Sequence, residues 1–331
     1  MFKMTIKNNQ TADVVTLGET MVLFQSMQNS RLQYASLFEK SLGGAESNVA
    51  IGLTRLGKKV RWISRLGADP FGDYIYAVLK GEGVEVTYVT RDKQKPTGVM
   101  FKESQLGKDP QIFYYRKSSA VSAWDPKELH IEMFQGAKLF HFTGITPALS
   151  SNCKIVVFHA VKLAKQAGLT ISFDPNMRFK LWKKEEARQI FLQLLRLCDI
   201  VLPGIDEGKL ITGESDPDLI AKYMLNSGPQ LVIIKLGEKG AIAYTNDNHG
   251  DIEKIFVPGF PVKQVIDTVG AGDGFTAGFL SAYLDDKPLN ECLKRANAVG
   301  AIVIQHRGDW EGLPSLEEVE QFISGKELVL R

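Results

Sequence analysis

Cysteine is scarce: Cys153, Cys198 and Cys292 are the three in 331 residues, and no CxxC or Cys/His spacing joins them. That excludes a disulfide framework and a zinc-finger-like site, and it fits a reducing cytosol. Cys198 and Cys292 each lie in an apolar helical run, which reads as a buried, inert thiol. Long apolar runs are missing as well. None reaches the ~18 residues of a membrane span, and the N-terminal MFKMTIKNNQTAD has no signal-peptide core, so a cytoplasmic protein without a membrane partner is expected. Excess charge of either sign is absent, because 40 Lys+Arg against 38 Asp+Glu leave a net +2. No overall field therefore favours nucleic acid. A Walker A motif is absent too, and neither GLTRLG nor GAGDGF matches the G-x-G-x-x-G of a dinucleotide fold behind its first strand, which argues against P-loop and dehydrogenase chemistry. The histidines at 130, 141, 159, 249 and 306 have no ligand-like spacing and read as structural or exposed. No repeat or linker divides the chain, so one domain over 1–331 is expected.

What is present is an alternation. DVVTLG, RWISRLG, KLFHFTG, LTISFDP, DIVLPG and LVIIKLG read as strands, many closed by Gly or Pro. Between them lie helical spacings, such as SNVAIGLTRLG with Val49, Leu53 and Leu56 on one face, and EEARQIFLQLLRLC with Ile190, Leu194 and Leu197 in register. Strands alternating with helices predict a mostly parallel α/β sheet covered on both faces, with ligands at the carboxyl ends of its strands. Two segments, about 31–44 and 97–120, are strand-rich without helical spacing. The second reads as a hairpin, VMFKE and QIFYYR around a turn containing Gly107, Asp109 and Pro110. These inserts are expected to form a small separate sheet, either a lid over the strand ends or a surface-edge hairpin.

The stretch DTVGAGDGFTAGF, Asp267 to Phe279, runs a glycine-bearing loop into a helix start. Such a junction leaves backbone N–H groups pointing outward, where they attract anions and phosphate above all. Asp273 is the odd member, since an acid beside a phosphate repels it. It makes sense as a general base acting on a neighbouring hydroxyl, or as a plain N-cap, and the stretch by itself leaves both open.

GGAESNVAIGLTRLGKKVRWISRLGADPFGDYI joined to DTVGAGDGFTAGF resembles the two signature regions of the ribokinase-like (PfkB) family of sugar kinases, in the family's order and at its separation over nearly the whole chain. The resemblance implies a ribokinase-like doubly wound α/β domain with a small β-sheet lid. It also implies ATP and Mg2+ as cofactors and transfer of the γ-phosphoryl group to a sugar hydroxyl, with a monovalent cation left open as an activator. It makes Asp273 the catalytic base and the amides of Gly270, Ala271 and Gly272 the anion hole, a chemistry of positioning and charge stabilisation. FYYRKSSA, FDPNMRFKLW, LPGIDEGKL and RGDWEGLP are similar to the 2-keto-3-deoxygluconate kinase branch, implying phosphorylation of that sugar acid at its terminal hydroxyl; a neutral-sugar kinase (fructokinase or ribokinase) is the alternative. In that branch substrate contacts would fall on Gly44, Asn48, Tyr115, Arg116, Arg178, Asp273 and Asp309. ATP contacts would fall on Asn176, Arg178, Gly204, Lys235, Gly237, Gly240, Ala241, Gly270, Gly272 and Asn297. Two departures stand out. Gly204-Ile205-Asp206-Glu207 keeps the acid of the family's Asn-x-x-Glu and loses the amide, leaving Glu207 to organise magnesium through water, and Met100 stands where relatives place a lid tyrosine. The family further implies a homo-oligomer paired through its lid sheets.

Alternation along the lid strand lets only one of Tyr114 and Tyr115 face the site. Trp182 and Trp310 adjoin the motifs, although packing is the commoner task of such rings.

Overall fold

Short β-branched and aromatic runs, most of them ended by Gly, Pro or an acid, become the strands of the computed structural model, which describes residues 11–103, 111–246 and 250–325. The strands are β1 (Val14–Leu17), β2 (Met21–Ser26), β3 (Phe38–Gly43), β4 (Val60–Gly67), β5 (Val89–Asp92), β6 (Val99–Glu103) and β7 (Gln111–Tyr115) in the N-terminal third. They continue as β8 (Leu139–Thr143), β9 (Thr170–Asp174), β10 (Ile200–Val201), β11 (Leu231–Lys235), β12 (Ala241–Asn246) and β13 (Ile252–Val257). Nine of them form one sheet in the order β13-β12-β11-β10-β9-β8-β1-β4-β5. Pairing is parallel from β11 through to β5, and antiparallel where β12 and β13 extend the edge.

Both faces of this sheet are covered, so its strands are apolar on both sides. Val15, Leu17, Phe140, Phe142 and Phe173 pack under helices Ser151–Gln166 and Lys184–Leu195. Val14, Trp62, Leu139 and Ile233 pack under helices Ala45–Arg55, Ala271–Leu284 and Leu289–Val303. A run of stacked and edge-on rings, Phe140, Phe142, Phe173 and Phe191, fills the first layer. No described helix is long and apolar enough to cross a membrane.

The other four strands make a separate sheet, β3-β2-β6-β7. β2, outside the two segments expected to build the small sheet, is one of its two central strands. The turn expected at Gly107, Asp109 and Pro110 lies outside the described residues, but the strands flanking it pair antiparallel, Met100 against Tyr114 and Val99 against Tyr115. Lys180, in the loop after β9, donates to the Ile112 carbonyl of β7 at 2.9 Å, so the small sheet is held above the carboxyl ends of the large one. The strand order reverses at β1, which lies between β8 and β4, and the crevice at such a reversal is where doubly wound sheets bind ligands.

Candidate active site

The chain after β1, β9, β10 and β11 and the inner face of the small sheet enclose one cleft of about 1350 Å3. Typical small-molecule pockets run to ~1,000 Å3, so two substrates fit side by side. Glu19, Asn48, Met100, Tyr114 and Arg116 line the part beneath the small sheet, and Gly204, Glu207, Lys235, Gly237 and Lys239 line the part over β10 and β11.

Asp273 ties the two parts together. It is the third residue of helix Ala271–Leu284, whose N-cap, Gly270, is left-handed at φ +79°. A Cβ on Gly270 would lie 2.0 Å from the Asp309 carbonyl oxygen, so the turn requires glycine. The Asp273 carboxylate accepts from Asn48 Nδ2 at 2.8 Å and Asn176 Nδ2 at 3.2 Å. Burial raises its pKa to about 6, against the pull of the Asn48 hydrogen bond and the Arg178 charge. An acid so placed is ionised at neutral pH yet basic enough to take a proton from a hydroxyl.

The floor of the site is a second acid. Asp174, at the end of β9, accepts from Lys235 Nζ at 2.8 Å and Thr276 Oγ1 at 3.1 Å. Its other oxygen holds the Asn176 N–H at 3.1 Å and keeps Asn176 at φ +37°, an uncommon backbone that aims the amide at Asp273. Burial works against the Lys235 ammonium, but Asp174 and Glu207 more than offset it and its pKa is raised. Glu207 caps its own helix through Gly204 N–H and holds Met177 N–H, both at 2.7 Å. Among the described residues no three His, Cys, Asp or Glu converge as a metal cage.

Most residues expected from the sequence gather here: Gly44, Asn48, Met100, Arg116, Asn176, Arg178, Gly204, Glu207, Lys235, Gly237, Gly270, Gly272, Asp273 and Asp309 all border the cleft. Five do not. Tyr115 is 66% exposed and packs edge-on against Phe101, whereas Tyr114, paired with Met100, faces inward. Ala271 lies off the cleft lining, and its N–H turns back to the Thr268 carbonyl at 3.4 Å. Gly240 and Ala241 sit behind the wall, Gly240 turning the chain at φ +105° and Ala241 buried at the start of β12. Asn297 spends its amide N–H groups on the carbonyls of Val257 and Pro258, at 3.0 and 3.1 Å, and lies off the lining.

Neighbouring groups are structural. His141 is buried beside Ser172 Oγ at 3.1 Å, and burial takes its pKa down to about 4. His249 is outside the described residues. The indoles of Trp182 and Trp310 donate to Gly144 O and Ser41 Oγ. All three thiols are buried, and burial raises the pKa of each.

Three residues escaped the sequence reading, and a fourth, Tyr114, was left there as one of two alternatives. Glu19, 3% exposed, accepts from Arg116 Nε at 2.6 Å and pairs with Nη2 at 2.5 Å. Its place directly after a strand end was the available signal. Tyr114 needed the hairpin register. Glu46 is buried with one oxygen on Thr143 and Thr146 and a pKa raised to about 7 by burial. Lys102 is buried at 1% exposure against Asp267, and an alternating strand gave no hint of that partner.

A family model described as "pfkB family carbohydrate kinase" matches residues 11–316. The chain is 43% identical to a 2-dehydro-3-deoxygluconokinase of Bacillus subtilis, over 96% of this chain and 97% of that one. It is 34% identical to fructokinase-1 of Zea mays, over 94% and 97%. A crystal structure from E. coli, provisionally named ribokinase II and holding ATP and Mg2+, superimposes with a TM-score of 0.87 at 28% identity, over 95% and 99% of the two chains.

Proposed function

The chain belongs to the pfkB family of carbohydrate kinases, and from that premise we propose that it transfers the γ-phosphoryl group of ATP to the terminal hydroxyl of 2-keto-3-deoxygluconate (2-dehydro-3-deoxygluconate), giving the 6-phosphate and ADP in the cytoplasm. The observation that carries the acid substrate is Arg116. Glu19 occupies its Nε–Nη2 edge, while its Nη1 side has no partner among the described residues, in the part of the cleft beneath the lid. That is where a second carboxylate can be gripped. The 34% identity to a fructokinase keeps a neutral ketose as the second reading. Measuring ADP release over a panel of sugar acids and neutral sugars decides between them, and preference for fructose overturns the first.

In this reading the sugar lies under Met100 and Tyr114, ATP lies over β10 and β11, and Asp273 takes the hydroxyl proton. Amides at Gly270 and Gly272 receive the negative charge on the transferring group, and Lys235 and Arg178 face the phosphates. Magnesium, which keeps several waters and prefers phosphate oxygens, would be organised by Glu207 through water and would neutralise phosphate charge. Both Glu207 oxygens already hold backbone N–H groups, which fits that indirect role better than direct ligation. The outer lid face exposes Tyr115 and Phe113 and fits a second copy of this chain, so light scattering should read a dimer mass.

Two outcomes follow. Since Asp273 acts only when ionised and burial raises its pKa to about 6, kcat/KM should fall tenfold per unit below pH ~6 and level off above it. A flat profile from pH 5 to 7 would remove Asp273 as the base. Gly272→Val places its side chain in open space within the cleft lining, so the chain should fold normally. Turnover should nevertheless drop about tenfold, as the added methyls crowd the phosphoryl group. Full activity in this variant would mean that the phosphoryl group sits elsewhere.

A further inference from the structure

We propose that Lys102 is a positioning residue that latches the small sheet to the loop feeding the anion hole, so that seating the sugar under the lid and aligning the phosphoryl-binding amides are one event. The proposal rests on the sugar-kinase reading above and extends it to a residue that touches neither substrate.

Met100 and Lys102 are two apart on β6, hence on one face of the lid. Met100 lines the sugar end of the cleft, and Lys102 continues the same face beyond it, 1% exposed. Its ammonium bonds Asp267 and lies 3.9 Å from Asp309 Oδ1. Each of these acids supports Gly270 from a different side. The second oxygen of Asp267 accepts the Val269 N–H at 3.2 Å, fixing the residue just before Gly270. The Asp309 carbonyl lies so close to Gly270 that no Cβ would fit between them. One ammonium from the lid thus bonds one of these acids and faces the other, beside the left-handed turn that opens the anion hole. Tyr114 and Arg116 belong to β7 and the residue directly after it, and β7 pairs along β6, so whatever holds the sugar on the lid also sets the position of Lys102.

Stability alone does not account for this arrangement. A buried ion pair roughly cancels its own desolvation, and apolar replacements of similar volume are often neutral or stabilising. A lysine carried on one sheet and bonded to a loop outside it has a use beyond stability if the relative position of the two matters. Asp309 adds to the argument, because its Oδ1 has no hydrogen-bond partner among the described residues and faces the ammonium across a gap that a small lid movement would close.

The test compares Lys102→Met, Lys102→Arg and the double variant Lys102→Met/Asp267→Asn in steady-state kinetics with the sugar acid and ATP. The latch predicts that Lys102→Met lowers kcat roughly tenfold while KM for ATP changes less than threefold, and that Lys102→Arg recovers most of the loss. The double variant removes the carboxylate that Lys102 bonds, keeps an amide oxygen at position 267 to accept the Val269 N–H, and should stay slow because the lid is no longer tied. Wild-type kcat in Lys102→Met, or recovery of wild-type kcat in the double variant, overturns the latch and leaves only the cost of an unpaired acid. Failure of the sugar-kinase reading is separately visible: wild-type protein would then release no ADP with any sugar or sugar acid.

Discussion

Asp273→Asn should bind ATP and sugar nearly as wild type does and lose roughly 10²–10⁴-fold in kcat. Asparagine is isosteric with aspartate and keeps one carbonyl oxygen to accept from Asn48 or Asn176, so the fold loses about one hydrogen bond. What disappears, if Asp273 is the base proposed above, is the site for the proton leaving the sugar hydroxyl. Residual turnover should come from the amides at the helix start and from positioning, and its pH profile should lack the limb near 6 that burial of the acid creates. Titrating kcat/KM of both proteins between pH 5 and 8 reads both effects. Near-normal turnover in a folded variant would return Asp273 to the role of a helix cap.

That either role was open from sequence shows where local reading ends. The strand-helix alternation was legible because a doubly covered parallel sheet needs apolar strands, and those strands end in Gly, Pro or acid at the face where ligands collect. The glycine loop was legible because a helix start with so little side chain has few other uses. Which tyrosine faces the cleft was not. Alternation gives two faces without naming them, and only the pairing of Met100 with Tyr114 puts that ring on the inner one. Glu19 with Arg116 and Lys102 with Asp267 were hidden for a different reason. Their partners lie 97 and 165 residues away, and neither periodicity nor spacing reaches that far. Asn297 was placed by motif in the nucleotide site, whereas its side-chain amide holds the chain leaving β13 and lies off the cleft lining.

Arg116→Leu should raise KM for 2-keto-3-deoxygluconate about ten- to a hundredfold while barely changing any weak turnover of a neutral sugar. A charge-assisted hydrogen bond contributes about 1.5–3 kcal/mol, which is that factor in affinity. The acid differs from fructose or ribose chiefly in its carboxylate, and a planar guanidinium with one edge committed to Glu19 is held in place for the other edge to receive it. The same ion pair complicates the single substitution. Leucine would strand the Glu19 carboxylate, 3% exposed, with Ser119 as its remaining side-chain donor, and that negative charge would itself repel a sugar acid. Glu19→Gln/Arg116→Leu removes both charges at once and is the cleaner comparison. If Arg116 reads the substrate carboxylate, the double variant keeps the raised KM for the acid and its neutral-sugar activity. If the single variant's defect came from the stranded glutamate, the double variant regains a wild-type KM. Equal losses on acid and neutral sugars in both variants would make Arg116 a structural member of the lid, and the acid substrate would lose its main support in the cleft.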